Sequence, residues 1–360
     1  MQLIFDAHLD LSMNAMEWNR DLREPVSRIR ELESGMTDMK GRGLGTTAFP
    51  DMRAAGMGIC VATQIAGCMK PRGPVACWES PPQAWAMTQA QLAWYRAMEE
   101  AGEMREIRDL KGLQAQLELW ADPEAAAAAK APIGYIRSLE GADSIITLDY
   151  LERAWNDGLR AMGPAHYGEG RYAMGHDRLG PLKPGGRDLI KEMDRLGMIL
   201  DATHLNDECF WEALDIFSGP VWASHSNCRA LVPDVRQFTD DQIKALIERG
   251  SVIGAVFDAW MVVPGWIRGE TTPDESGATI DRVVDHIDHI CQLAGNVKHV
   301  GIGTDLDGGF GTEQCPMDLD TIADVQTVAD RLRDRGYAES DVTAVMSGNY
   351  LRFLETAWAE

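Results

Sequence analysis

LGMILDATHLNDECFWEALDIFSGPVWASHSN, residues 196–227, decides the fold. An apolar run at 198–203 stops at His204. A helical pattern follows over 206–217, and a second apolar run at 220–224 stops at His225. Short apolar runs separated by an amphipathic segment read as strand, helix, strand. Both histidines then sit at the carboxyl ends of consecutive strands. The arrangement recurs along the chain: His8 follows LIFDA, Glu140 follows IGYIRSL, His166 follows LRAMGPA and Asp305 follows HVGIGT. One polar residue at a strand end means little. Six describe parallel strands whose carboxyl ends converge on one polar pocket.

Strand-like runs fall at 2–8, 57–65, 132–139, 159–165, 198–203, 220–224, 251–257 and 298–304. Helical periodicity marks 147–157, 185–196, 206–217, 239–249 and 278–293. Eight strands in this alternation predict an α/β fold, a closed (β/α)₈ TIM barrel, with chemistry at the strands' carboxyl ends. A doubly wound open sheet would gather the polar residues at one switch point instead of spreading them over six strands. Long connections at 66–83, 167–185 and 259–277 are candidate pocket walls. The run 121–132 reads as a short Ala-rich helix, and 319–358 as helices closing the barrel. No domain boundary is visible, so residues 1–360 read as one catalytic domain.

The composition narrows the function. A formal net charge of -22 argues against a phosphate-backbone partner and against an anionic membrane surface. No apolar stretch reaches the roughly 18 residues that would span a bilayer. The seven cysteines are irregularly spaced without a CxxC pair, which removes zinc ribbons and thioredoxin-like motifs and favours reduced thiols. MQLIFDAHLD enters a strand at once, so the expected setting is cytoplasmic.

His8 and Asp10 are two apart, and side chains at i and i+2 of a strand point the same way. They can share one cation. His204 and His225, on neighbouring strands, can hold a second, and the two oxygens of Glu140 can bridge both. This mixed nitrogen and oxygen set suits Zn²⁺. Two such ions about 3.5–4 Å apart can activate one water and polarise a substrate oxygen together. Taken singly, each residue has an ordinary reading: a histidine after a strand is usually structural, and Glu140 could cap a helix. The joint placement is what points to metal. Asp305 ends the last strand, where a carboxylate can take a proton from the attacking water and pass it to a leaving amine. Asp307 is its rival.

HLD at 8–10, SLEGADS at 138–144, LGMILDATHLND at 196–207, SHSN at 224–227 and GIGTDLDGGFG at 301–311 resemble the membrane (renal) dipeptidases and their bacterial relatives. These belong to the metal-dependent amidohydrolase barrels. GPAHYGEG at 163–170 and SGNYLRFL at 347–354 extend the resemblance over nearly the whole chain. It implies two zinc ions, one on His8 and Asp10, the other on His204 and His225, with Glu140 bridging. It also implies an acid–base role for Asp305, a substrate-carbonyl contact for His166, and capture of the substrate's terminal carboxylate by Arg236. The family commonly has His-x-Arg-Asn around that arginine. Here Asp234, Val235, Arg236 and Gln237 stand instead, which keeps Arg229 open as the anchor.

The expected activity is a zinc dipeptidase acting through a metal-bridging hydroxide, with a D-residue tolerated at the C-terminal position. The resemblance allows a homodimer, though no interface is legible. A binuclear hydrolase of another amide, ester or lactone is the alternative, and a non-catalytic metal-binding barrel is a further one. His286 and His289 read as outer helix residues, His176 and His299 have no partner that the sequence names, and Cys228 has no base beside it.

Overall fold

Side chains along a strand alternate between two faces, and the barrel sorts them accordingly. In the computed structural model, which describes residues 1–68 and 77–359, Phe5, Ile59, Val61, Ile136, Ile199 and Trp222 share one buried cluster. Their strand neighbours Ile4, Cys60, Ala62, Tyr135, Leu200 and Val221 pack instead with helix residues such as Tyr95, Met193, Phe210 and Val283.

The strands are β1 (Ile4–Leu9), β2 (Met57–Ile65), β3 (Met104–Glu106), β4 (Ile133–Glu140), β5 (Ala161–Gly163), β6 (Ile199–Asp201), β7 (Val221–Trp222), β8 (Ile253–Ala255) and β9 (Val300–Ile302). All pair in parallel, in the order β7-β6-β5-β4-β2-β1-β9-β8, with β3 alongside β4. A parallel bridge between Ala223 and Ile253 brings β7 to β8 and nearly closes the ring. That closure needs two glycines. A Cβ on Gly254 or Gly303 would come within 1.9 Å of the Ser224 carbonyl oxygen. The (β/α)₈ expectation holds.

Helix Asn349–Ala357 plugs the barrel from the side of Phe5. Tyr350 stacks on Phe5 at 4.9 Å, and Trp222 meets Tyr350 and Phe353 at 6.0 and 5.6 Å. Truncating any of these rings would cost about 3–5 kcal/mol.

The later apolar runs overshoot their ladders: 159–165 pairs only over Ala161–Gly163, and 251–257 only over Ile253–Ala255. Burial sets the length of the run, whereas the ladder ends where tilted neighbours part. Several elements before β4 were not expected, among them helices Leu11–Met16, Val26–Leu32, Phe49–Ala54 and Leu110–Leu119. Helix Pro81–Glu100 fills the place after β2, and β3 precedes β4. The helix was hidden because Thr88 and Gln91 stand on its buried side. Gln91 donates to the Ile65 carbonyl and accepts from its N–H, both at 2.9 Å, so a polar residue holds the end of β2. Of the long connection at 66–83, residues 69–76 lie outside the described residues. Among the described residues, no helix is long and apolar enough to cross a membrane.

Candidate functional site

The pocket lies where the strands end. It is lined by Asp10, Glu140, His166, His204, His225, Arg236 and Asp305, with Tyr167, Asp258, Trp260 and Arg268 among the groups farther out. A register shift between Asp6 and Leu9 re-aims the end of β1; Asp10 lines the pocket, and His8 is buried behind it against Asp10, Glu140 and Asp305. Glu140 is the last residue of β4, and Gly141 follows at φ +77°, close against the Cβ of His166. His204 and Asp305 have φ values of 68° and 59°. Left-handed backbone costs such residues free energy and clusters at functional sites. Asn206 accepts from Cys209 N–H at 2.7 Å and starts the next helix directly after His204.

The donor atoms form overlapping triads: His8, Asp10 and Glu140; Glu140, His204 and His225; His8, His225 and Asp305. Nε2 of His8 is 3.6 Å from Glu140 Oε2 and 3.7 Å from both Asp10 Oδ2 and Asp305 Oδ1. Glu140 Oε1 is 2.9 Å from His204 Nε2 and 3.5 Å from His225 Nε2. Donors around a tetrahedral zinc with bonds of about 2.0–2.1 Å sit roughly 3.3 Å apart, so these spacings fit. Nε2 of His8 is buried without a hydrogen-bond partner, an arrangement that would be costly unless something else meets that nitrogen. These residues therefore suit a pair of cations shared through Glu140.

The nitrogens turned away from the pocket are occupied. His225 Nδ1 is 2.8 Å from Ser224 Oγ, which is also 3.4 Å from His8 Nδ1, and His204 Nδ1 is 3.3 Å from His176 Nδ1. Thr63 donates to Asp10 Oδ1 and leaves Oδ2 toward His8. Such partners orient metal ligands. Ser224, Thr63 and His176 were not foreseen in this capacity. Ser224 was visible only as the residue beside His225, and His176 only as an unpaired loop histidine.

Burial drives the charges. It lowers His204 and His225 far below the usual imidazole range, aided by Arg236, and so keeps them as neutral rings with a lone pair. His166 is pushed down to about 3, mainly by burial. Burial raises Glu140 to about 8 and lifts Asp305 well above the carboxylate range, with Asp10 and Glu140 adding to the latter. Burial also works against a charged His8, yet Glu140, Asp10 and Asp305 outweigh it and raise His8 to about 10. Three buried carboxylates that pull this hard on a proton form a place for positive charge.

Asp305 and Asp307 part company. Asp307 accepts from Thr46 and Thr47 N–H at 2.7 and 3.0 Å and from Arg20 Nη1 at 3.2 Å, away from the pocket. The two arginines part as well. Arg236 is buried, donates to His225 O at 2.9 Å and to Ser226 Oγ at 3.1 Å, and lies 3.4 Å from His204 Nε2. Arg229 instead pairs with Asp207 at 2.8 Å. His166 Nε2 is 3.9 Å from Glu140 Oε1. Cys228 is buried, its thiol pushed up by burial, and His299 faces the Ser251 carbonyl at 2.9 Å.

Eight parallel strands with an imidazole–carboxylate cluster at their carboxyl ends define a (β/α)₈ barrel with a site suited to metal. A family model for the membrane dipeptidases, peptidase family M19, matches residues 2–359, and the chain belongs to that family. Over 175 residues it is 33% identical to an uncharacterised dipeptidase of Schizosaccharomyces pombe, covering 49% of this chain and 40% of the relative. The match thus spans less than half the length of that protein. In fold the chain is similar to a family M19 metallopeptidase called dipeptidase AC, at 24% identity and a TM-score of 0.76, over 100% of this chain and 99% of the other. It is also similar to a metallopeptidase of Rhodobacter sphaeroides solved with a phosphinate mimic of the dipeptide L-Ala-D-Ala. There the values are 23% and 0.75, over 99% of this chain and 100% of the other.

Proposed function

We propose that the chain, acting as one catalytic unit, hydrolyses small dipeptides with free amino and carboxyl ends, D-residues at the C-terminal position included. The observation that carries this reading is the pair of donor triads sharing Glu140 at the floor of a pocket that also holds a buried arginine. Family membership supports the substrate class. The dipeptide mimic bound by the Rhodobacter sphaeroides protein supports the stereochemistry.

His8 and Asp10 would hold one zinc-type cation and His204 and His225 the other, with Glu140 common to both. Bound there, the pair would supply Lewis acidity and a lowered water pKa. Asp305, beside the His8 triad, takes the proton of the attacking water and returns it to the departing amine. His166 donates its imidazole N–H to the carbonyl oxygen as negative charge grows there. Arg236 receives the substrate's terminal carboxylate through its remaining N–H groups, for which a planar guanidinium is well shaped.

Metal analysis of purified protein and a dipeptide panel test this reading. Two zinc-type ions per chain, with hydrolysis abolished by a chelator and restored by metal, are expected. Turnover of esters or lactones with no dipeptide cleaved would replace it by the alternative hydrolase.

A further inference from the structure

Two arginines line the pocket, and neither has a carboxylate within ion-pairing distance among the described residues: Arg236 at the floor and Arg268 at the mouth. In a chain carrying 56 acidic against 34 basic residues, Arg268 faces a pocket with only the longer-range pull of Asp258 and Asp234 on its charge, which calls for an explanation. Arg268 is solvent-accessible, but it is not a free surface side chain. Its guanidinium lies 3.9 Å over the Trp260 ring, and its Nη2 donates to Tyr167 Oη at 2.8 Å. Trp260 is itself fixed, donating from Nε1 to Asp258 Oδ2 at 2.6 Å, while Asp258 Oδ1 accepts from Gln314 Nε2 at 2.8 Å. Both oxygens of Asp258 are thereby occupied. Lys40, the other cation on the wall, has Glu313 at 3.7 Å and Gln314 Oε1 at 2.6 Å, so its charge is shared. The fork of Arg268 is thus held in place with donors to spare, and an ordered fork binds a carboxylate at a lower entropic cost than a mobile lysine.

We infer that Arg268 is a specificity residue that selects substrates with an acidic side chain on the C-terminal residue. This rests on the dipeptidase reading and extends it. Arg236 takes the α-carboxylate, and Arg268, across Tyr167, takes the side-chain carboxylate of an aspartate or glutamate in either configuration. Trp260 gives the aliphatic part of that side chain an apolar surface.

The test compares metal-loaded wild type, Arg268→Ala and Arg268→Glu on Ala-Ala, Ala-Asp, Ala-Glu and Ala-Lys, with L- and D-residues at the second position. In wild type, kcat/KM for the acidic substrates should exceed that for Ala-Ala by about tenfold or more, the size of effect expected of a charge-assisted contact partly open to solvent. Arg268→Ala should bring this ratio close to one, and Arg268→Glu should turn the preference toward Ala-Lys. Cleavage of Ala-Ala without an acidic preference, or a preference that survives Arg268→Ala, would overturn the inference and leave the dipeptidase reading intact. Failure of metal-loaded wild type to cleave any of the four would overturn both.

Discussion

Two pairs of histidines invite comparison, His204 with His225 and His286 with His289. Both pairs sit among acidic residues, and three of the four rings are well buried. His204 and His225 come from different strand ends, and their Nε2 atoms meet 3.1 Å apart in front of Glu140. His286 and His289 stand on one helix, Ile280–Ala294. His286 Nδ1 accepts from Cys228 N–H and its Nε2 donates to the Val262 carbonyl, both at 3.1 Å, and His289 meets Asp240 at 2.8 Å. His286 spends both nitrogens on backbone and so ties two loops to the helix. His225 spends one on Ser224 and turns the other toward a carboxylate. The free nitrogen, rather than spacing or burial, marks a ring suited to metal.

Replacing one ring from each pair gives the sharpest contrast. His225→Ala should lower metal affinity by about 100-fold or more, since even removal of an orienting partner costs about 10–100-fold, and turnover should fall with it. His289→Ala should keep both the metal and the rate, and equal metal loss in the two variants would erase the distinction. Asp305→Asn should retain metal yet lose about 10²–10⁴ in kcat, the usual range for a general acid–base group, and an unchanged kcat would remove Asp305 from that role. Gly308→Ala probes the same carboxylate indirectly, because a Cβ there would lie 2.0 Å from Asp305 Oδ1. We expect a loss of about 10² in kcat at unaltered metal content, the scale of a displacement of about 1 Å. Arg236→Ala should raise KM about tenfold for free dipeptides and far less for C-terminally amidated ones. An equal effect on both would argue against carboxylate capture.

His286 gives an effect that is read in stability rather than in metal or turnover. Burial pushes it down to about 4 from the ordinary value near 6.5, so the fold prefers the neutral ring. Its contribution is complete above about pH 6.5 and is lost as pH falls through about 4, a difference of about 3 kcal/mol. His286→Gln should flatten the fall of Tm across that interval relative to wild type.

The barrel was legible because each strand-end residue interrupts an apolar run and helical patterns separate the runs, as strands buried on both faces require. His8, Glu140, His166, His204, His225 and Asp305 could be named for the same reason, and Asp10 as the residue two beyond His8. Helix Pro81–Glu100 escaped because Thr88 and Gln91 face inward, where a buried polar group has its own backbone partner, and composition does not show such partners. Asp307, two residues beyond Asp305, stood as its rival in the sequence. Both have left-handed φ, and Thr46, Thr47 and Arg20, 261, 260 and 287 residues away in sequence from Asp307, draw the second one out of the pocket. Arg236 and Arg229 were likewise separated by a distant residue, Asp207.

The order of apolar and polar residues by itself determined the strands, their alternation with helices and the chemical types available at the rim, because these depend on neighbours along the chain. Only the tertiary structure decided which nitrogens face the pocket, which of two aspartates and two arginines enters it, and what stands at its mouth. Those outcomes depend on hydrogen-bond partners brought together from remote segments, and a linear pattern carries no record of such encounters.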